Sequence, residues 1–161
     1  RANMERELRQ RVDARVKGGV MDLLLEANAI DLPAVLIKEE IRSLKEQVGQ
    51  GVRGGGMGLP DNLFEDSARR RVALGLIVAE IVREQGIQAD PERVRAAVED
   101  LASTYERPEE VIGYYYGDRK RLNSVESLVL EDKVVDWVLG QVTVEDEPIS
   151  FGQLTAPASG D

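Results

Sequence analysis

The stretch Val72-Ala-Leu-Gly-Leu-Ile-Val-Ala-Glu-Ile-Val82 is the most apolar run in the sequence, with Glu80 as its one charged residue. At the 3.6-residue period of a helix, these residues are apolar on nearly every side. Such a helix is expected to be covered all round, so we predict that it forms the buried centre of an all-helical fold. The run is shorter than the roughly 20 apolar residues that a membrane span needs, and we expect a soluble chain.

Upstream of that run, apolar residues recur every three or four positions and predict two helices. The first covers residues 4–30 and carries the pair Gly18 and Gly19, where we expect a bend or a close helix contact. The second begins at Asp31, a residue type that caps helices. It gives way to a loop over the glycine-rich residues 49–58.

Cap residues and prolines divide the rest of the chain into four more helices. The apolar run belongs to a third helix over residues 61–85, which Gly86 is placed to end. Asp90, followed by proline, begins the fourth helix. The fifth is short and covers residues 109–116, and Asp118 is placed to cap the sixth.

The C-terminal tail has a different character. Val142 and Val144 alternate with polar residues as in a short strand, and residues 156–161 are small and polar, so we expect them to be disordered. The predicted fold is therefore all-α: an elongated helical domain over residues 1–155, with two protruding helical-hairpin arms and a short extended tail.

The composition excludes several kinds of chemistry. The 161 residues hold 21 Lys and Arg against 30 Asp and Glu, a formal charge of −9, with no Cys and no His. The absence of Cys and His excludes disulfides, thiolate catalysis, Cys/His zinc sites and imidazole bases. Nucleic acid is not expected as a partner, because binding phosphates needs clustered cations. A membrane is not expected either, because no apolar run is long enough to span one. We predict no cofactor, no metal and no catalytic residue.

The remaining charged and glycine-rich motifs do not specify a catalytic site. The glycine-rich loop lacks the Lys and Ser/Thr of a phosphate-binding loop. Adjacent carboxylates, such as Glu109 and Glu110 after Pro108, diverge on a helix and suit its N-terminal dipole better than acid–base work. The basic first segment and the acidic last one either attract each other or stay solvated.

The tyrosines are the most informative side chains. Tyr114, Tyr115 and Tyr116 are consecutive on one short helix, so they point in different directions and at least one should be exposed. Together with Tyr105 they offer large amphipathic contact area at low entropic cost, which suits a surface that meets varied partners. Packing within the core is the other interpretation of these rings.

Several segments, in this order along the chain, carry a resemblance to a known family. They are Asn3-Met-Glu-Arg-Glu-Leu8, Ile30-Asp-Leu-Pro-Ala-Val-Leu-Ile37, Leu63-Phe-Glu-Asp-Ser-Ala-Arg-Arg-Arg-Val72, Leu74-Gly-Leu-Ile-Val-Ala-Glu80, Ala89-Asp-Pro-Glu-Arg-Val94 and Ala102-Ser-Thr-Tyr-Glu-Arg-Pro-Glu-Glu-Val-Ile112. From residue 3 to about residue 154 the chain resembles the C-terminal domain of bacterial trigger factor, the ribosome-associated folding chaperone.

The resemblance implies a helical, substrate-binding body with two arms, similar in fold to the helical domain of the periplasmic chaperone SurA. It implies a cytoplasmic location and ribosome contact only through an N-terminal domain that is absent from this sequence. The family's prolyl isomerase domain is also absent, so no isomerase activity is expected of this chain.

The resemblance also implies a client-contact patch, to which we add neighbouring apolar residues and others in or near the glycine-rich loop. The residues that correspond to the family's patch are Leu101, Tyr105, Val111 and Tyr114. The added candidates are Ile112, Tyr115, Met57, Leu59 and Phe64.

Two hypotheses follow for the function of this chain. The first is an ATP-independent chaperone domain that binds unfolded or nascent polypeptides through apolar patches between its helical arms. The second is a structural module whose apolar stripes form a fixed protein–protein interface, for example in a homodimer. An enzyme is a distant third.

Overall fold

This computed structural model describes residues 2–51, 58–145 and 152. Side chains are described from residue 7 onward, except those of residues 50 and 51. Every regular element in these ranges is helical, which confirms the all-α prediction. The α-helices are α1 (Ala2–Ala27), α2 (Ala34–Gly51), α3 (Glu65–Gln85), α4 (Pro91–Ala102), α5 (Pro108–Tyr116) and α6 (Arg119–Leu139), with a 3₁₀ turn at Asp61–Leu63 before α3.

Three of the predicted helix signals are confirmed atom by atom. The Asp90 carboxylate accepts a hydrogen bond from the Glu92 amide at 2.9 Å, and the Asp118 carboxylate accepts one from the Lys120 amide at 2.9 Å. Both carboxylates satisfy amides that a helix start leaves without partners. Gly86 ends α3 with φ at +61°, and the next amide, of Ile87, donates to the Val82 carbonyl at 3.0 Å. This is the Schellman arrangement that favours glycine.

The start and end of α2 differ from the prediction. Asp31 is not its cap, because the helix begins at Ala34 and the carbonyl of Pro33 accepts its first amides. The proline thus stands just before the helix, a position that its fixed φ tolerates. At the other end, α2 continues through Gly49 to Gly51, where we predicted a loop. The central part of that loop, residues 52–57, lies outside the described residues.

The chain divides into two compact units: residues 1–20 with 82–161, and residues 21–81. The division falls within α1, next to Gly18 and Gly19. A methyl group placed on either glycine would meet no atom of the described residues within 4 Å. Among those residues the close helix contact predicted as one alternative is therefore not found, and α1 continues through both glycines as helix.

In the second unit, α2 and α3 run antiparallel. Lys45 near the end of α2 pairs with Asp61 before α3, whereas Glu40, earlier in α2, pairs with Arg71, later in α3, at 3.1 Å. Beside these pairs lies an apolar cluster that α2 and α3 share, with Phe64 packed against it. The buried members of the cluster are Ile37, Ile41, Leu44 and Ala68.

The apolar run 72–82 is not the buried centre that its sequence predicts. Within it Ala73 and Ile77 are buried, whereas Leu76 and Ala79 are exposed. The run lies across the boundary between the two units, and the antiparallel partner α2 covers one side of α3. A helix packed along one side leaves its other side in water, whatever residues that side carries.

In the first unit, α4, α5 and α6 pack around one valine cluster. Ile112 and Tyr115 of α5 are half-buried against it. The cluster consists of Val94 and Val98 of α4 with Val125 and Val129 of α6. Branched side chains fill the small space between crossing helices in few rotamers, so they suit this junction.

The end of the chain departs from the prediction in two respects. The spacing of apolar residues in the sequence places Leu128 roughly on one face of α6 with Val125 and Val135, but Leu128 is exposed, whereas Val129 and Val134 are buried. Residues 143–145 have no regular structure, so the short strand predicted at 142–144 is wrong for the described residues. The predicted disordered tail at 156–161 lies outside the described residues.

An ion-pair cluster joins α1 to α6. The Lys17 ammonium lies 2.9 Å from a carboxylate oxygen of Asp132 and 3.1 Å from one of Glu131. Attraction between the basic first segment and the acidic last one, one of the two predicted alternatives, is thus realised at this point. Burial alone would lower the pKa of Lys17, but its hydrogen bonds to Asp132 and Glu131 outweigh burial and raise the pKa.

We expect Lys17→Met to destabilise the chain by about 0.5 to 1 kcal/mol at neutral pH, the range of partly exposed ion pairs. Because folding raises this pKa, the contribution is fully present below the ordinary lysine value of 10.5. It should disappear as the pH rises through the higher pKa of the folded state. Urea unfolding at pH 7 and above about pH 11 would measure this.

The matched control is Lys38→Met on α2, which removes an exposed lysine. It should change the unfolding free energy by less than about 0.5 kcal/mol. A Lys17→Met effect of equal size at both pH values would show that lost packing, and not charge, is responsible.

Candidate functional site

Helix α5 turns two faces in different directions. Ile112 and Tyr115, three residues apart, pack against the valine cluster of the first unit. Val111 and Tyr114, also three residues apart, lie on the neighbouring strip of the helix and line a surface groove. One helix therefore anchors the site in the core and presents part of it to solvent.

The groove has a volume of about 750 Å³ and lies between α5 and the connection that precedes it. It brings together four of the side chains that the sequence singled out, with three charged neighbours between them. Its lining residues are Tyr105, Glu106, Arg107, Glu110, Val111, Tyr114 and Tyr115. We refer to it as the tyrosine groove.

The tyrosine rings differ in exposure. Tyr105 is 61% exposed and Tyr114 is 56% exposed. Tyr115 is half-buried, and Tyr116, at 49%, is exposed but does not line the groove. At least one consecutive tyrosine was predicted to be exposed, and two are.

The other predicted site residues lie elsewhere or have a second role. Leu101 on α4 is exposed but does not line the groove, and Ile112 belongs to the packed face of α5. Leu59 is exposed, whereas Phe64 is half-buried against the α2–α3 cluster. Met57 lies outside the described residues.

The charged side chains of the tyrosine groove are partly paired. Arg107 Nη1 donates to Glu110 Oε1 at 2.8 Å. Glu106 and Glu110 thus place two carboxylates beside the tyrosine rings, with one guanidinium to offset them. The groove combines apolar surface with a polar rim, as small binding sites commonly do.

Arg121 of α6 fixes the ring of Tyr114 from outside the groove. Its guanidinium carbon lies 3.6 Å from the ring centroid, and its Nη1 donates to the Tyr114 carbonyl at 3.0 Å. The ring of Tyr115 meets that of Tyr114 edge to face, with centroids 5.7 Å apart and planes at 89°. Both contacts are of the kinds that aromatic rings favour.

The structure exposes part of the apolar stripe whose spacing predicts α1. Leu8, Val12 and Val16 are 42%, 43% and 40% exposed and share one face, because they are four residues apart. Val16 also lines a groove of about 430 Å³ with Val135 and Leu139 of α6. The spacing of apolar residues in the sequence identifies the stripe. It could not show that the described part of the chain leaves this stripe partly in water.

A smaller apolar groove lies within the second unit, between α2 and α3. Its volume is about 410 Å³, and its apolar lining comes from Leu36, Val72 and Leu76, with Gly75 leaving room between them. Glu39 and Glu40 are at its rim. The 72–82 run thus contributes apolar surface to a groove that α2 also lines.

The described residues hold no group of three or more Asp and Glu side chains placed to bind a metal ion. Among those residues, none of the helices combines the length and the apolar character needed to cross a bilayer. What the described surface offers chemically is apolar and aromatic contact with a carboxylate-rich rim.

Comparison with known proteins places these features in a family. The family model described as "Bacterial trigger factor protein (TF) C-terminus" matches residues 1–140. Trigger factor of Pseudomonas paraeruginosa is 46% identical over 159 residues, which is 97% of this chain and 36% of that protein. Trigger factor of Pseudomonas putida is 47% identical over 161 residues, or 98% of this chain and 37% of that protein. That of Azotobacter vinelandii is 45% identical over 159 residues.

The chain thus spans slightly more than a third of the length of these curated relatives, 36% to 37%. The family model covers all six described helices and includes the tyrosine groove, which ends at Tyr115.

Proposed function

Because this chain belongs to the bacterial trigger factor family, through its C-terminal region, we propose that it binds unfolded or nascent polypeptides as an ATP-independent chaperone domain. Family membership supports a chaperone-related role. Binding of apolar client segments by the tyrosine groove is the finer proposal. It concerns binding without catalysis.

The exposure of Tyr105 and Tyr114 above a packed core is the observation that carries the proposal. Large apolar or aromatic side chains left in water at a groove are typical of binding surfaces. Their backbone sits on α5 and the preceding connection, and α5 is anchored in the core by Ile112 and Tyr115. The rings can therefore contact a client without local refolding, which keeps the entropic cost of binding low.

Several weak sites on one chain suit a client with no fixed structure. Burying one apolar side chain contributes about 1.5 to 3 kcal/mol, which is too little to hold a client alone. Both units offer weak sites of this kind. The first unit has the tyrosine groove and the stripe on α1, and the second has the α2–α3 groove. Simultaneous contacts raise the avidity while each one still dissociates quickly. The formal charge of −9 opposes self-association of the exposed apolar surface.

A light-scattering assay tests the proposal. A chemically denatured client protein is diluted into buffer with and without the 161-residue chain, and turbidity is followed. We expect the chain to suppress aggregation in a concentration-dependent way, without ATP, up to about a tenfold excess. Unchanged aggregation at that excess would contradict the proposal for this chain.

The rival hypothesis is a module with a fixed interface between copies or domains. It requires Leu101, Tyr105, Val111 and Tyr114 to be buried in a permanent contact. Sedimentation velocity over a concentration series distinguishes the two, because an obligate dimer persists at concentrations where a client-binding monomer does not. We propose the monomeric, client-binding form, since the formal charge of −9 opposes association between copies of the chain.

A further inference from the structure

We infer that Arg121 is a positioning residue of the tyrosine groove, which holds the Tyr114 ring in place to receive an apolar side chain of the client. This inference rests on the client binding proposed above. It assigns a role in binding to a residue on α6, which is not among the residues that the family resemblance implies for client contact.

Arg121 contacts both the side chain and the backbone of Tyr114. Its guanidinium stacks over the Tyr114 ring, and its Nη1 donates to the Tyr114 carbonyl at 3.0 Å. That carbonyl lies in the last turn of α5, where carbonyls have no amide partner within the helix. The contact therefore fixes the backbone and the ring of Tyr114 together.

Arg121 is itself held by a second contact. Its Nε lies 3.6 Å from a carboxylate oxygen of Asp118. Asp118 is the N-cap of α6, and its other oxygen accepts the Lys120 amide, so the carboxylate is fixed by the helix start. The chain of contacts runs from the α6 cap through Arg121 to the end of α5.

The guanidinium leaves the working surface of the ring free. Arg121 does not line the tyrosine groove, whereas Tyr114 does. One face of the ring is stacked by the guanidinium and Tyr115 packs against it edge to face, so the ring meets the groove with its remaining surface. A ring held in this way pays less entropy when a client side chain packs on it.

Arginine is required for this arrangement, and lysine would not replace it. The planar guanidinium can stack on a ring and donate to a carbonyl at the same time. A lysine ammonium is a compact, strongly hydrated charge without a flat face. Arg121→Lys therefore keeps the charge and removes the positioning.

The test measures binding of a fluorescein-labelled, unstructured peptide rich in Leu and Phe to the 161-residue chain by fluorescence anisotropy. We expect Arg121→Lys to weaken binding by about threefold to tenfold, the range of one exposed cation–π contact and one hydrogen bond. The matched control is Arg119→Lys, on the same helix, whose partner is Glu126 at 3.4 Å. It should bind within about twofold of the unsubstituted chain.

A second arm shows whether Arg121 acts through Tyr114. In a Tyr114→Leu background, Arg121→Lys should cost a clearly smaller factor in affinity, because the ring is gone and only the hydrogen bond to the backbone carbonyl is left to lose. In NMR spectra, the Arg121 side-chain protons should be shifted upfield by the ring, and Tyr114→Leu should abolish that shift. If Arg121 were merely structural, Arg121→Lys would lower the midpoint of thermal unfolding. Its effect on affinity would then persist in the Tyr114→Leu background.

The outcomes separate the two proposals. If Tyr114→Ser weakens binding and Arg121→Lys does not, the inference is overturned and the proposed function stands. If Arg121→Lys costs the same factor in the Tyr114→Leu background, the effect does not pass through the ring and the inference is overturned. If the unsubstituted chain does not bind the peptide, or if neither Tyr105→Ser nor Tyr114→Ser changes its affinity, the proposed function of the groove fails and the inference fails with it.

Discussion

A Tyr105→Ser/Tyr114→Ser variant is expected to bind an unstructured apolar peptide about 30- to 100-fold more weakly than the unsubstituted chain. The two rings are the most exposed aromatic surface of the tyrosine groove. Losing both removes roughly 2 to 3 kcal/mol of apolar burial on binding, and 1.4 kcal/mol corresponds to a tenfold change in affinity. Fluorescence anisotropy with the labelled peptide measures the dissociation constant directly.

Tyr116→Ser is the matched control for this variant. Tyr116 is on the same helix and is also exposed, but it does not line the groove. We expect its affinity to stay within about twofold of the unsubstituted chain. Equal losses in Tyr116→Ser and the double variant would mean that the peptide adheres to any exposed ring, and the groove would not be the site.

The folded state of the first unit is expected to be lost in a Val98→Asp variant. Val98 is 0% exposed, at the centre of the cluster that joins α4 to α6. A carboxylate there has no cationic partner in the cluster, and burying such a group costs at least about 4 kcal/mol, which is a large part of the stability of an ordinary domain. Far-UV circular dichroism should show reduced helix content at 25 °C, with loss of aggregation suppression.

Two further variants make this prediction quantitative. Val98→Ala removes two methyl groups and should lower the unfolding free energy by about 2 kcal/mol in urea. Val144→Ala, at an exposed position beyond α6, should change it by less than about 0.5 kcal/mol. If Val98→Ala were as mild as Val144→Ala, the valine cluster would not be the core of this unit.

Local sequence signals were sufficient for most helix boundaries of the first unit. Asp90 and Asp118 cap α4 and α6 as predicted, and Gly86 ends α3 with a left-handed backbone. Each of these signals acts over two to five residues, so its outcome does not depend on the rest of the fold. The prediction that Asp31 caps α2 was wrong, because the helix begins after Pro33, whose carbonyl accepts its first amides.

Burial was less predictable than helix position. The run 72–82 is apolar nearly all round, yet Leu76 and Ala79 are exposed. On α6, Val129 and Val134 are buried and Leu128 is exposed, which a simple stripe did not anticipate. A helix pattern states which side could be buried, whereas the number and angle of neighbouring helices decide how much of it is.

The candidate site was predicted in part. The tyrosine-rich segment was recognised from its composition, and the structure places Tyr105, Val111, Tyr114 and Tyr115 around one groove. No sequence signal pointed to Arg121, because its contact with Tyr114 depends on how the start of α6 packs beside the end of α5.

The sequence by itself determined that this chain is helical, where most of its helices begin and end, and which short helix carries the aromatic residues. These properties come from backbone preferences and capping hydrogen bonds over a few residues. The tertiary structure decided which apolar side chains stay in water, that Tyr105 and Tyr114 line one groove, and that Arg121 contacts the Tyr114 ring. Those outcomes depend on how neighbouring helices pack against each other, and the geometry of such packing is not encoded in any single segment.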